Sequence, residues 1–108
     1  MDKPVSQQSA DFDADLLRRL LLARGPSGDE REVAEVCLEA LAPITDELHT
    51  DDAGNVVGLL RAAKAEEEPV QIVAHMDEIA MMVKRIEADG SLSVTNLGGD
   101  RPMSFGQS

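Results

Sequence analysis

Residues 70–74 (Val-Gln-Ile-Val-Ala) set the strongest constraint on what this chain can fold into. A short, nearly unbroken apolar run suits a strand covered on both faces of a sheet. The run stops abruptly at His75-Met76-Asp77-Glu78. A strand of that kind needs strands beside it and layers above and below it, so the expected class is α/β. The other segments are read for what they can supply to it.

Two helices come first. Leu16, Leu17, Leu20 and Leu21 recur at helical spacing and predict a helix from about Asp13 to Arg24. Asp11 or Asp13 caps its start, and Gly25-Pro26 stops it. Gly25-Pro26-Ser27-Gly28 is then a tight turn. Ser27 followed three residues later by Glu30 has the capping-box pattern and opens a second helix, roughly residues 28–42. Val33, Val36, Cys37, Ala40 and Leu41 form its apolar stripe, and Pro43 ends it.

The period then changes. Residues 44–50 alternate apolar and polar as a half-exposed strand does, 51–54 are a turn, and 55–61 complete a hairpin. Residues 62–69, with Glu66, Glu67 and Glu68, suit a solvated loop. Residues 81–87 and 91–96 predict a second hairpin turning at Asp89-Gly90. No clear period follows Gly98. The order is two helices and then a mixed sheet that wants more strands.

The chain has 108 residues, the size of one small domain. Aromatic residues are 2% of it, so any core is built from Leu, Val, Ile, Ala and Met. A net charge of −11 argues against a nucleic-acid partner and against an anionic membrane surface, both of which need a basic face. No apolar stretch approaches a membrane span. The polar first residues lack the apolar run of a signal peptide, and Cys37 has no second cysteine to pair with. A cytoplasmic location is the expectation, with residues 1–12 as a flexible tail.

The chemistry-bearing spot is His75-Met76-Asp77-Glu78. Polar groups at the C-terminal edge of a buried strand are where α/β folds place their sites. A histidine there can offer one ring nitrogen to a metal. A carboxylate two residues on points to the same side of an extended chain and can accept the proton of the other nitrogen, fixing the tautomer. His75 is thus the candidate ligand and Asp77 its orienting acid; a surface turn that merely holds a His and two acids is the other reading. Zinc wants about four donors. His49 suits a solvent-facing strand position and Cys37 a small core position, so a complete metal site is not expected within these residues. Gly25-Pro26-Ser27-Gly28 lacks the Lys and the preceding strand of a phosphate loop. Met76, Met81, Met82 and Met103 suit core or interface filling. Ser27 has no partner set for nucleophilic catalysis.

Four segments, in order over roughly residues 13–100, resemble the glutamyl aminopeptidase family of metallopeptidases, which includes the tetrahedral, TET-type enzymes. Gly25-Pro26-Ser27-Gly28 with Glu30 resembles the turn between that family's first two helices. Asp52-Ala53-Gly54-Asn55-Val56 resembles its Asp/Gly-Asn hairpin. Ala74-His75-Met76-Asp77-Glu78-Ile79 is close to its Ala-His-Met-Asp-Glu-Ile-Gly signature, with Ala80 in place of the last Gly. Leu97-Gly98-Gly99 resembles its Val-Gly-Gly.

The resemblance implies a zinc-peptidase α/β sandwich, with 13–79 the N-terminal part of the catalytic domain and 80–108 the start of an inserted β-rich dimerisation domain. It implies removal of N-terminal residues from peptides by a metal-activated water, homo-oligomerisation, and two divalent metal ions per complete subunit, zinc or cobalt. His75 would supply one ligand and Asp77 the catalytic-site acid. The family's remaining ligands and its glutamate base come from later sequence, so this chain alone is expected to be inactive. The alternatives are a fragment of a related two-metal deacetylase or carboxypeptidase, which the Gly-Pro-Ser-Gly and Gly-Asn segments disfavour, or a noncatalytic acidic interaction module.

Overall fold

Asp13 opens the first helix, α1 (Ala14–Leu22), by accepting a hydrogen bond from the Leu16 backbone N–H at 2.8 Å. A cap of this kind contributes about 1 kcal/mol, satisfying a donor the helix cannot. The computed structural model describes residues 12–64 and 68–99. Asp11, most of the 1–12 tail, Glu66, Glu67 and Met103 lie outside those residues.

Beyond α1 the chain extends through Ala23 and enters a β-turn. The Asp29 N–H donates to the Pro26 carbonyl at 2.9 Å, and Gly28 takes φ 93°, a conformation that favours glycine. This turn delays the second helix, α2 (Arg31–Leu41), whose N-cap is Glu30 with no side-chain cap bond. The expected capping box at Ser27 is therefore not formed. Ser27 sits too far ahead of the first helical turn, and the Glu30 carboxylate instead accepts from the Gly28 N–H at 2.7 Å. Pro43 does not break α2 sharply. It sits in a single 3-10 turn, Ala42–Ile44, that carries the chain off the helix end.

Strands β1 (Glu47–Thr50) and β2 (Val56–Leu59) pair antiparallel from Glu47 opposite Leu59 to Thr50 opposite Val56. Beyond the strands the Asp51 N–H donates to the Asn55 carbonyl at 3.0 Å, and the three residues enclosed between them end on Gly54 at φ 89°. The acid that organises this loop is Asp51, one residue ahead of the segment matched in the sequence. One of its oxygens accepts from the backbone N–H groups of Ala53 (3.0 Å) and Asn55 (2.8 Å), and the other from the Asn55 side chain at 2.8 Å. Together these hold its carboxyl below the ordinary carboxylate range, the Asn55 side chain first among them. β3 (Ala80–Ile86) and β4 (Leu92–Leu97) form the second hairpin, irregular between Val83 and Arg85. Its turn is again three residues long rather than the two-residue form, with Gly90 at φ 85° and the Glu87 N–H donating to the Ser91 carbonyl at 2.9 Å.

The two helices and antiparallel strands make a small α/β unit. Two of the sequence expectations are corrected. The described strands form two separate two-stranded antiparallel sheets rather than one mixed sheet; the parallel element is an isolated bridge between Pro26 and Glu78. Residues 70–74 are not a buried strand. They join no ladder, and Val70, Ile72 and Val73 are 88%, 92% and 79% exposed. A strand exists only through pairing with a neighbour, and each hairpin has already satisfied itself locally, leaving no described strand alongside this run.

Packing centres on one corner. α1 lies against α2, and α2 against β1 and β2. Arg19 of α1 forms an exposed ion pair with Glu39 of α2, a contact worth little in water. Val33 is the buried apolar side chain among the described residues, and Gly25 and Pro26 are buried beside it. Cys37 is half-buried on α2, and burial pushes its thiol up.

Candidate functional site

The buried corner holds the segment that carries the chemistry. The Glu78 N–H donates to the Gly25 carbonyl at 2.7 Å, and the Glu78 side chain turns back to accept from the Gly25 N–H at 3.1 Å. Glycine is needed here because a Cβ at position 25 would stand 2.7 Å from Val33 Cγ1. The two bonds lash the end of the 75–78 segment to the turn between the helices. They also engage Glu78, one of whose carboxylate oxygens, Oε1, is taken up by backbone.

Asp77 is held at both carboxylate oxygens. The Ser27 hydroxyl donates to Oδ2. Oδ1 lies 3.1 Å from His75 Nδ1, which is also 3.1 Å from the Asp77 carbonyl. An ionised carboxylate and a carbonyl only accept, so hydrogen bonding at this contact calls for the proton on Nδ1, which in the neutral ring leaves the lone pair on Nε2. Ser27 first and His75 second hold the Asp77 carboxyl below its ordinary range. The imidazole itself stands in the open, its side chain 86% exposed against 38% for Asp77.

One exposed nitrogen donor with an ionised acid on its far side fits the role of a single metal ligand and its orienting partner. It does not make a complete site. Among the described residues no group of three or more His, Cys, Asp or Glu side chains is gathered so as to hold an ion. His49 lies exposed on β1 opposite Val57, and Cys37 is half-buried on α2. Neither joins His75.

A cleft of about 280 Å³ lies nearby, lined by Arg24, Asp29, Arg31, Glu32 and Glu35. Both of its arginines are taken up by Asp29, which accepts from Arg31 at 2.9 Å and from Arg24 at 2.5 Å, and these hold its carboxyl low.

Ser27 is the participant that sequence reasoning missed. The Ser-x-x-Glu spacing assigned it to a helix cap, and its actual partner is 50 residues away. The signal that could have pointed to it was its place in the Gly-Pro-Ser-Gly segment that carries part of the resemblance, rather than any periodicity.

Comparison with known proteins agrees with this layout. The family model described as M42 glutamyl aminopeptidase matches residues 54–108. The lysyl aminopeptidase of Pyrococcus furiosus is 32% identical over 91 residues, covering 83% of this chain and 25% of that protein. Among solved structures, a TET aminopeptidase from a marine-sediment thaumarchaeote aligns with TM-score 0.66 and 37% identity over 79% of this chain and 23% of that one. A Thermotoga maritima protein that bears the name endoglucanase aligns with TM-score 0.66 and 31% identity over 82% of this chain and 28% of that one. This chain spans about a quarter of the length of the curated relatives it matches.

Proposed function

This chain belongs to the M42 glutamyl aminopeptidase family, and from that premise we propose that it supplies part of the catalytic centre of a metal-dependent aminopeptidase acting on peptides. His75 is the metal ligand through Nε2, and Asp77 is the acid that orients it. The observation that carries the reading is the pairing of His75 Nδ1 with Asp77 Oδ1 at 3.1 Å while the rest of the ring faces solvent.

Bound there, a divalent ion such as zinc or cobalt supplies the Lewis acidity that activates water for amide hydrolysis. The chain's own residues do the preparatory work. Asp77 keeps the ring proton on Nδ1, which leaves Nε2 as a donor, and its negative charge makes that donor more basic. The Gly25–Glu78 bonds hold the segment's end in place. The other ligands and the proton-transferring glutamate come from sequence outside residues 1–108, so the isolated chain is inactive. β3 and β4, with Met81, Met82, Val83 and Ile86 between 45% and 71% exposed, begin the inserted β-rich dimerisation domain of a homo-oligomer. The cytoplasm is the compartment.

The test is hydrolysis by the full-length protein with added zinc or cobalt. Free-amine aminoacyl anilides are turned over, and a His75→Ala variant loses at least about 100-fold. Equal turnover of N-acylated peptides would move the protein to the deacetylases or carboxypeptidases. Cleavage of β-glucan without peptide cleavage would favour the activity named for the Thermotoga neighbour, which calls for two carboxyl groups flanking one bond. Asp77, engaged at both oxygens, is poorly placed to be one of them.

A further inference from the structure

We propose that Ser27 is a positioning residue for the His75–Asp77 pair: from the turn between the two helices its hydroxyl fixes the rotation of the Asp77 carboxylate, so that the opposite oxygen faces the imidazole. This rests on the reading of His75 as a metal ligand.

The terminal torsion of an aspartate is broad, so one contact alone leaves the tilt of the carboxylate plane loosely set. Asp77 has two contacts, on different oxygens and from different parts of the chain. Ser27 holds Oδ2, and His75 lies at Oδ1. Tilting the carboxylate plane about its Cβ–Cγ bond weakens both at once. The serine is itself anchored. Its turn is closed by the Asp29–Pro26 bond at 2.9 Å, and the residue two before it is bonded to Glu78 at 2.7 and 3.1 Å. The short side chain of serine reaches across that fixed gap with little rotamer freedom to lose. The cap role that Ser-x-x-Glu would have given it is not taken up, since α2 begins at Arg31 without a side-chain cap. Ser27 thus couples the helical corner to the ligand-bearing segment across 50 residues.

The first readout needs no metal. Long-range ¹H–¹⁵N spectra of the two imidazoles in the 108-residue chain are recorded near pH 8, about 1.5 units above the ordinary histidine pKa. His49→Gln assigns the signals. His75 is expected as the single Nδ1–H tautomer. Ser27→Ala shifts both His75 nitrogens toward the values of a tautomer mixture and leaves His49 unmoved, while Ser27→Thr, which keeps the hydroxyl, restores the single form. A Ser27→Ala spectrum identical to wild type, or a Thr variant that stays mixed with unchanged circular dichroism, overturns the proposal.

The second readout is cobalt binding by the full-length protein, expected to weaken about 10-fold in Ser27→Ala and to recover in Ser27→Thr. If His75→Ala abolishes cobalt binding while Ser27→Ala changes neither readout, the Ser27 proposal alone falls. If Ser27→Ala frees the tautomer and cobalt affinity is untouched by either Ser27→Ala or His75→Ala, the ligand reading falls and the positioning role toward a metal goes with it.

Discussion

The residues on the two sides of His75 are fixed by different means. Behind it, residues 70–74 are as apolar as a central strand, and their side chains stand almost wholly in solvent. Ahead of it, residues 77 and 78 are polar, and they are tied by three hydrogen bonds to the turn between the helices. Apolar character calls for a covering layer but cannot create one. Hydrogen bonds to a preformed turn need only that turn. The 75–78 segment therefore has Asp77 oriented even where the run leading to it has no described sheet around it.

The comparison is broken most severely at Gly25. Gly25→Ala forces a methyl group to 2.7 Å from Val33 Cγ1, in the one well-buried corner. Overpacking of this kind costs about 1–3 kcal/mol, read by urea denaturation, and displaces Glu78 along with the turn. Glu78→Ala is a smaller change. The Glu78 backbone bond to Gly25 survives, but the Gly25 N–H loses its carboxylate partner, a part-buried bond worth about 1 kcal/mol.

Acid weakens the same side selectively. Asp77 has a folded-state pKa below its unfolded value, so its stabilising contribution is complete above the unfolded value near about 3.9 and fades as pH falls through the lower folded value. Stability measured in urea between pH 5 and pH 3, as order-of-magnitude set points around that value, falls more for wild type than for Asp77→Asn. The smallest effect is on the other side of His75. Ile72→Ser changes the stability of the 108-residue chain by no more than about 0.5 kcal/mol, because the side chain is 92% exposed. The same substitution in the full-length protein costs several-fold more if added strands and helices cover the run, and the ratio of the two values measures that covering.

These effects also mark what the sequence could reveal. Helix and hairpin positions were legible because their causes are local. Asp13 caps α1 from one residue away, and Gly54 and Gly90 close loops of three residues. The sequence did not show which carboxylate organises the first loop, since Asp51 and Asp52 are chemically alike and only geometry separates them. The capping-box reading of Ser27 failed for a different reason. As a cap its oxygen would accept from a backbone N–H, whereas here the hydroxyl donates to the carboxylate that the tertiary fold presents, and Asp77 is invisible to a three-residue pattern. The buried strand at 70–74 failed because no described strand runs alongside it. The closeness of His75 Nδ1 and Asp77 Oδ1 follows the His-x-Asp spacing along the chain, but the hold on the second oxygen could not be read from spacing at all.

The most direct measurement is an anomalous-scattering map of the full-length protein crystallised with zinc. A zinc ion about 2.0–2.1 Å from His75 Nε2, with Nδ1 still on Asp77 and Ser27 still on the opposite carboxylate oxygen, is the predicted result. Zinc bound elsewhere with the ring of His75 left in solvent, or zinc bound through Nδ1 with Asp77 turned away, would contradict it.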